Sequence, residues 1–481
     1  MKRKLVIVMQ GGGIDTLNVL IPQEQDALYN QHRPKLAIAE SDQVLLDSST
    51  TLGVHPAAAA IRELYQMGVA RIVQQVAYPN PNQSHFESTD IVIGGGDGNS
   101  IELEGSWIGR FLKARYTNYP AGFPNDNMDS PPGLGTGWAI PKMVFSAPGS
   151  ELGVKLQSSP DLLWVIGQMV NQDKGDGPTL TRAQQKVAYI NAIDTQADKF
   201  GATLKAAYDA GTITQSYVNG PISTQLRDVA KTIIGGSEVE VYVVSVGVFD
   251  THDNQVLDVN NNTSGPFANS INDVYEGILS FQKELMQAGK ADEVLLMTFS
   301  EFGRRVTEND GKGTDHGTAY SMMLVGTQVS PGISGENPDL SNLDANGDFA
   351  SWNYDYREVA AKLLKQWMGA GPNQLAAAGL LGFGDTIGDL IETPVAPEFL
   401  DLDYTNTLTV VDPDPDPDPT KPEAPTNLRA INVDHQGFGI LWDYPSNTTG
   451  IAGYRVLVNE ANLQDSDDNY AAVENVASDT E

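Results

Sequence analysis

The chain has 481 residues, 62 acidic against 30 basic for a formal net charge of −32 at pH 7, and it contains no cysteine. Disulfides, thiolate catalysis and thiolate metal sites are therefore excluded, and nucleic acid is an unsuitable partner because phosphate repulsion would dominate encounter. No apolar run approaches the roughly 18–20 residues of a membrane span, and 47 Gly with 27 Pro at 40% hydrophobic content describe a loop-rich globular protein.

Met1-Lys2-Arg3-Lys4 is basic, but the apolar stretch after it, Leu5–Met9, is too short for a signal peptide and reads as a first buried strand. Pro56–Met67 predicts a helix and Ala70–Val76 a strand, followed by a Pro/Asn-rich turn and a helix opening at Ser84. Tyr116–Gly135, rich in Gly, Pro and Asn, is expected to lack regular structure and to begin a loop-rich insertion over about 116–180. Ala183–Ala210 has helical spacing. Val239–Val248 then predicts a strand, Ile271–Ala288 a helix, Val294–Phe299 and Tyr320–Val325 two more strands, and Arg357–Met368 an amphipathic helix. This alternation predicts, for residues 1–400, a doubly wound, mostly parallel α/β sheet with helices on both faces.

Four Asp-Pro repeats, Asp412–Pro419, mark an extended, self-repelling linker over 412–422. Residues 423–481 show alternating strand patterns with Trp442 and Gly453-Tyr454-Arg455-Val456. They resemble a fibronectin type III module, a β-sandwich whose closing strands are missing here. Such a module implies a spacer or surface attachment.

Three polar clusters sit at the ends of apolar runs: Phe249-Asp250-Thr251-His252, Ser300-Glu301-Phe302-Gly303-Arg304-Arg305 and Gly313-Thr314-Asp315-His316-Gly317. Ligands in open α/β sheets gather beyond the carboxyl ends of strands. Imidazole and carboxylate brought together there suit a hydrolytic metal centre. Asp250, His252 and His316 are the candidate ligands of one divalent ion (zinc, manganese or calcium), with Asp15, His85, Glu301 and Asp315 at its rim. Arg304 and Arg305 offer bidentate donors for phosphate or sulfate. Asp344, Asn346, Asp348 and Asp355 imitate a calcium loop, but Phe349 replaces the glycine such a loop needs.

These clusters, with Gly11-Gly12-Gly13-Ile14-Asp15-Thr16-Leu17-Asn18, Leu52-Gly53-Val54-His55-Pro56, Ser84-His85-Phe86-Glu87 and Trp107-Ile108-Gly109-Arg110, resemble in order the "domain of unknown function 1501" family over residues 1 to about 395. More widely the chain is similar to the alkaline phosphatase superfamily of phosphatases, sulfatases and phosphoglycerate mutases. That resemblance implies Ser84 as nucleophile, Asp250 and His252 on a first metal, Glu301 in place of a second metal's Asp, and His316 as the last histidine. The chain departs from the pattern at Gln10 and Phe302, where metal ligands would stand.

The resulting expectation is an exported hydrolase of phosphate or sulfate esters, on a small-molecule or glycan substrate. In it Ser84 or a metal-bound water attacks, His85 serves as acid, base or ligand, and an arginine clamps the ester oxygens. The other reading is a non-catalytic surface or extracellular protein with a degenerate metal site. Either would be secreted, periplasmic or cell-surface, with any leader absent from this sequence.

Overall fold

The computed structural model describes residues 2–99, 104–119, 123, 128–137, 139–141, 143–148, 150–156 and 200–395, with the backbone of four short strands between 426 and 472. The chain divides into two units, Met1–Pro397 and Glu398–Glu481.

The first unit is built on one sheet. Its strands are β1 (Lys4–Gln10), β2 (Ala70–Ala77), β3 (Gly133–Thr136), β4 (Gly153–Leu156), β5 (Val241–Val246) and β6 (Val294–Phe299). After a separate two-stranded ribbon, β7 (Arg304–Glu308) and β8 (Thr314–His316), the sheet resumes with β9 (Tyr320–Val325), β10 (Gly332–Ser334) and β11 (Tyr354–Asp355). The order is β10-β2-β9-β6-β1-β5-β3-β4, with β11 also on β2. β1 lies between β5 and β6, parallel to both, with Leu5 opposite Val241 and Leu295. β9 runs antiparallel to its neighbours β6 and β2. The three central strands read KLVIVMQ, VYVVSV and VLLMTF and are buried at every residue. Such continuous apolar runs, rather than alternation, mark strands covered on both faces.

The helices of this unit include α1 (His85–Gly94), α2 (Trp107–Arg115), α3 (Pro221–Ile234), α4 (Pro266–Gln287) and α5 (Tyr356–Gln366). α3 and α4 each place Pro in the first turn, where its missing N–H has no intrahelical partner to lose. Ile222, Leu226, Val229 and Ile233 of α3, and Ile271, Val274, Ile278 and Leu285 of α4, recur at helical spacing and are buried.

The expected elements at Leu5–Met9, Ala70–Val76, Val294–Phe299 and Tyr320–Val325 are present within one residue of their predicted ends. Pro56–Met67 is a short 3₁₀ turn, Pro56–Ala58, running into a helix, Ala60–Gln66. Residues 200–210 are helical, and the rest of the helix expected over Ala183–Ala210 lies outside the described residues. The stretch expected to be loop contains two strands of the sheet, β3 and β4. Gly133 and Gly153 break any strand pattern in the sequence, yet glycine is what the packing needs: a Cβ at either would come within 2.5 or 2.4 Å of the buried Phe145 ring.

In the second unit Thr426–Asp434 pairs antiparallel with Gly437–Asp443, and Leu457–Val458 with Ala471–Ala472. The Asp-Pro linker lies outside the described residues.

Candidate metal centre

β1, β2, β5 and β6 are mutually parallel, so the segments that follow them emerge at one edge of the sheet. These are Gly11–Asp15, the loop into α1, Asp250–His252 and Ser300–Glu301. β9 runs the other way, so the ribbon strand β8 just before it, carrying Asp315 and His316, arrives at that same edge. One strand reversal thus explains why two clusters follow strands and the third precedes one. Gly12 lies beneath the site with φ +107°, and a Cβ there would sit 2.4 Å from the Asp250 nitrogen. Its N–H donates to Glu301 Oε1 at 2.8 Å.

Three imidazoles converge on one carboxylate oxygen. His252 Nε2, His85 Nε2 and His316 Nε2 lie 3.2, 3.3 and 3.5 Å from Asp250 Oδ1. Each ring has an acceptor behind it. His85 Nδ1 meets Glu301 Oε1 at 2.7 Å, His252 Nδ1 meets Asp315 Oδ1 at 3.1 Å, and His316 Nδ1 meets the Gln83 carbonyl at 2.7 Å. A carbonyl oxygen, like an ionised carboxylate, only accepts, so these contacts place a proton on each Nδ1, and each Nε2, which faces the Asp250 carboxylate, either carries a second proton or turns its lone pair to a cation. His252 Nε2 and His316 Nε2 stand only 2.8 Å apart. Two bare lone pairs at that distance repel, and a proton or a cation between them removes the conflict. His85 Nε2 is buried without a hydrogen-bond partner.

The charges are set to match. Burial alone would raise the Asp250 carboxyl, but the hydrogen bond and charge of Arg304, with His85 and His252 nearby, bring it down to about 2. The Glu301 hydrogen bond holds His85 above the usual histidine range, whereas burial lowers His316. Burial also acts to raise Asp315, but hydrogen bonds from Asn309 and His252 hold it below the usual carboxylate range.

The two arginines behave differently. Arg304 is buried, and all three of its guanidinium nitrogens are engaged: Nε donates to the Gly13 carbonyl, Nη1 to that of Thr314, and Nη2 to those of Gly12 and Phe249 and to Asp250 Oδ1 at 2.7 Å. It ties the three loops together and is not free to clamp an ester. Arg305 stays at the rim, with Nε on the His316 carbonyl and Nη1 3.9 Å from Asp315 Oδ2. Phe302 is buried against the His85 and His316 rings, with centroids 4.8 and 4.9 Å away, and walls the imidazoles on one side.

Asp15 does not reach the cluster. Its Oδ2 accepts from Arg33 Nη1 and Gln255 Nε2, both at 2.6 Å, in a buried network. Gln255 Oε1 in turn accepts from the Thr251 and Thr314 hydroxyls at 3.0 and 3.2 Å, one beside His252 and one beside Asp315. Arg33 and Gln255 therefore position the ligand loops, and no sequence pattern distinguished them from ordinary loop residues. Ser84 is the N-cap residue of α1, half-buried, with its N–H on Asn82 Oδ1. It stands between Gln83 and His85, both of which touch the cluster. The calcium-like run folds as a turn: Asp344 Oδ1 accepts the Asn346 and Asp348 amides, and Asp348 accepts from Thr318.

These residues fit a divalent ion. His85, Asp250 and His316 each offer a donor atom within 4.8 Å of the others. Zinc–nitrogen bonds of about 2.0–2.1 Å in a tetrahedron separate neighbouring donors by roughly 3.3–3.4 Å, which matches the three Nε2–Oδ1 spacings, while the 2.8 Å between His252 and His316 Nε2 is closer than two ligands of one such ion stand. Carboxylates behind His85 and His252 are the outer partners that metal-binding histidines commonly have. Side-chain exposures of 48% at Asp250 and 40% at His252 leave one face of the cluster open to solvent.

The first unit is thus a mostly parallel α/β sheet with a metal-competent cluster at the carboxyl ends of its strands. Residues 159–353 match the family described as "Protein of unknown function (DUF1501)", the family that the motifs resemble. The match takes in the Asp250, Glu301 and His316 segments. No curated protein matches the chain. Similar solved structures include a protein in the alkaline phosphatase superfamily from Vibrio parahaemolyticus, 8% identical with TM-score 0.35 over 76% of this chain and 69% of that one. Ps i-CgsB in complex with k-i-k-neocarrahexaose is 10% identical with TM-score 0.34, over 81% and 75%. The PsFucS1 sulfatase from Pseudoalteromonas sp. is 9% identical with TM-score 0.31, over 82% and 70%. No described helix is long and apolar enough to cross a membrane.

Proposed function

We propose that the first unit is a metal-dependent hydrolase of phosphate or sulfate esters, working outside the cytoplasm. The observation that carries this reading is the convergence of three Nε2 atoms on Asp250 Oδ1, each ring backed by an acceptor at Nδ1. His85, His252, His316 and Asp250 would hold the ion, and three nitrogens with one carboxylate suit zinc or manganese better than calcium. When bound, the ion supplies a Lewis acid that draws charge from a non-bridging ester oxygen. Glu301, Asp315 and the Gln83 carbonyl keep the Nδ1 protons in place. Arg305 contributes positive charge at the rim. Ser84, at the helix start between two cluster-touching residues, is the attacking hydroxyl: its Oγ bonds to phosphorus or sulfur as the ester O–P or O–S bond breaks, its proton passes through solvent to the leaving alcohol, and water then cleaves the seryl ester to release phosphate or sulfate and restore the hydroxyl.

One observation favours a second reading, a non-catalytic extracellular protein that holds an ion. Arg304 is fully occupied by backbone carbonyls and Asp250, so only Arg305 is left to meet the ester's charge. In that case the second unit, as a fibronectin-like module, serves attachment.

Elemental analysis of protein purified without chelators separates these outcomes. About one equivalent of zinc or manganese is expected, lost in His252→Ala and in His316→Ala, together with turnover of simple phosphate or sulfate esters that falls in Ser84→Ala. Metal without turnover supports the second reading. No metal, and no uptake on adding any, overturns both.

A further inference from the structure

Phe86 directly follows His85 on the first turn of α1, and 86% of it is exposed. It is the only aromatic among the large hydrophobic side chains left exposed in the described residues, and the next most exposed, Leu257, reaches 63%. Single exposed hydrophobics are ordinary and need no explanation. Leu45, Met286 and Leu381 lie elsewhere, but the two most exposed, Phe86 and Leu257, are on segments that carry the cluster, Leu257 five residues after His252, and Val248, 45% exposed, lies two residues before Asp250. An aromatic ring so fully in water contributes nothing to the core, and its neighbour in sequence is a candidate metal ligand.

Charge narrows what that ring meets. The chain carries −32 overall, which disfavours a polyanionic ligand. At the rim the charge available to a substrate anion is that of one ion and Arg305, enough for a single ester group. The remainder of the substrate must then be uncharged. Flat apolar surface is what an exposed phenyl ring binds best, through stacking or edge contacts.

We infer that Phe86 is the platform for the alcohol part of the substrate, and that the substrate is an ester with one charged group, phosphate or sulfate, whose alcohol carries a ring with an apolar face. This rests on the hydrolase reading above and adds the substrate class to it. Phe86 is here a specificity-determining residue, apart from the groups that hold the ion.

The test compares phenyl and methyl esters of phosphate and of sulfate with the full, metal-loaded chain, as wild type, Phe86→Ala and Phe86→Trp. A glucose 6-ester forms a further arm that separates sugar from aryl rings. The expected result is that the ratio of kcat/KM for phenyl over methyl ester falls about tenfold in Phe86→Ala, mainly through KM, and recovers in Phe86→Trp. An unchanged ratio in Phe86→Ala overturns the proposal. Should the wild type turn over none of these esters, phenylphosphonate and methylphosphonate binding is measured instead by calorimetry. Tighter binding of the phenyl compound, lost in Phe86→Ala, keeps the platform and removes the hydrolase reading. Equal binding of both compounds to wild type removes the platform.

Discussion

At the scale of single residues, the site rests on groups that bear no catalytic signature. Arg33 is buried, pairs with Asp15 at 2.6 Å, and also donates to the Val306 and Arg305 carbonyls at 2.8 Å. Removing one partner of such a pair leaves a charge in a dry environment, which costs about 3–5 kcal/mol. Arg33→Met should therefore destabilise the first unit by roughly that amount in urea unfolding. The double variant Arg33→Met/Asp15→Leu should recover part of the loss, because no stranded carboxylate remains. If single and double variants unfold alike, the pair is not the energetic unit and the lost carbonyl contacts dominate. In the sequence Asp15 points to the metal rim, because it stands five residues after Gln10 on a glycine-rich turn. The backbone does bring it to the right edge of the sheet, but a buried arginine from another loop captures its side chain. Pairing across 18 positions leaves no mark in a single sequence. Histidines were more legible, since each of the three cluster rings lies in a short motif beside a strand or helix end. Their Nδ1 partners were only half visible: Glu301 and Asp315 were singled out as rim groups, while a main-chain carbonyl such as that of Gln83 has no sequence signal.

Among the elements, long apolar runs were read well because burial on both faces leaves little else for a seven-residue stretch of Leu, Val and Ile to be. Direction was not readable. The antiparallel course of β9 depends on its pairing with β2 and β6, and it alone decides that His316 meets Asp250. β3 and β4 were hidden because their glycines answer to Phe145 and not to strand propensity. The turn ahead of the helix Ala60–Gln66, Pro56–Ala58, has His55 at its N-cap. His55 is fully buried, and its Nδ1 accepts the Ala57 N–H at 3.0 Å, capping that turn. Burial lowers its pKa to about 4, against an opposing contribution from the Asn262 backbone. Unfolded, the ring would titrate near 6.5. Between these values the unfolded chain binds a proton that the folded one refuses. The His55 contribution is therefore intact above about pH 6.5 and is lost progressively down to about pH 4, where it levels off, for a total of roughly 3 kcal/mol. His55→Asn keeps a side-chain oxygen to cap with and has nothing to titrate. Its unfolding free energy should fall less steeply from pH 7 to pH 4.5 than that of wild type, and equal slopes would mean that other groups carry the pH dependence.

For the molecule as a whole, charge is the dominant fact, and it is unevenly spread. Residues 398–481 hold 17 acidic and 3 basic residues, so that short unit carries a much denser negative charge than Met1–Pro397. Even so, the first unit is strongly acidic, and many of its ion pairs, such as Lys205–Asp209 and Lys283–Glu63, sit at the surface, where each is worth little. Net self-repulsion should then outweigh attraction. Screening by salt acts on both, but repulsion among many exposed carboxylates extends over distances that a Debye length of about 10 Å at 0.1 M cuts off, whereas the buried Arg33–Asp15 pair is largely shielded from salt. The melting temperature of Met1–Pro397 should therefore rise by a few degrees as sodium chloride goes from about 10 mM to 300 mM and flatten beyond that. As the pH falls into the carboxylate range and the net charge of this unit shrinks, the same titration should have a diminishing effect. Chloride at these concentrations is the proper choice, since sulfate would strengthen apolar burial at once. A melting temperature that fell with salt at pH 7 would show that surface attraction wins, and the large acidic excess would then need another explanation, with a basic partner the first to look for.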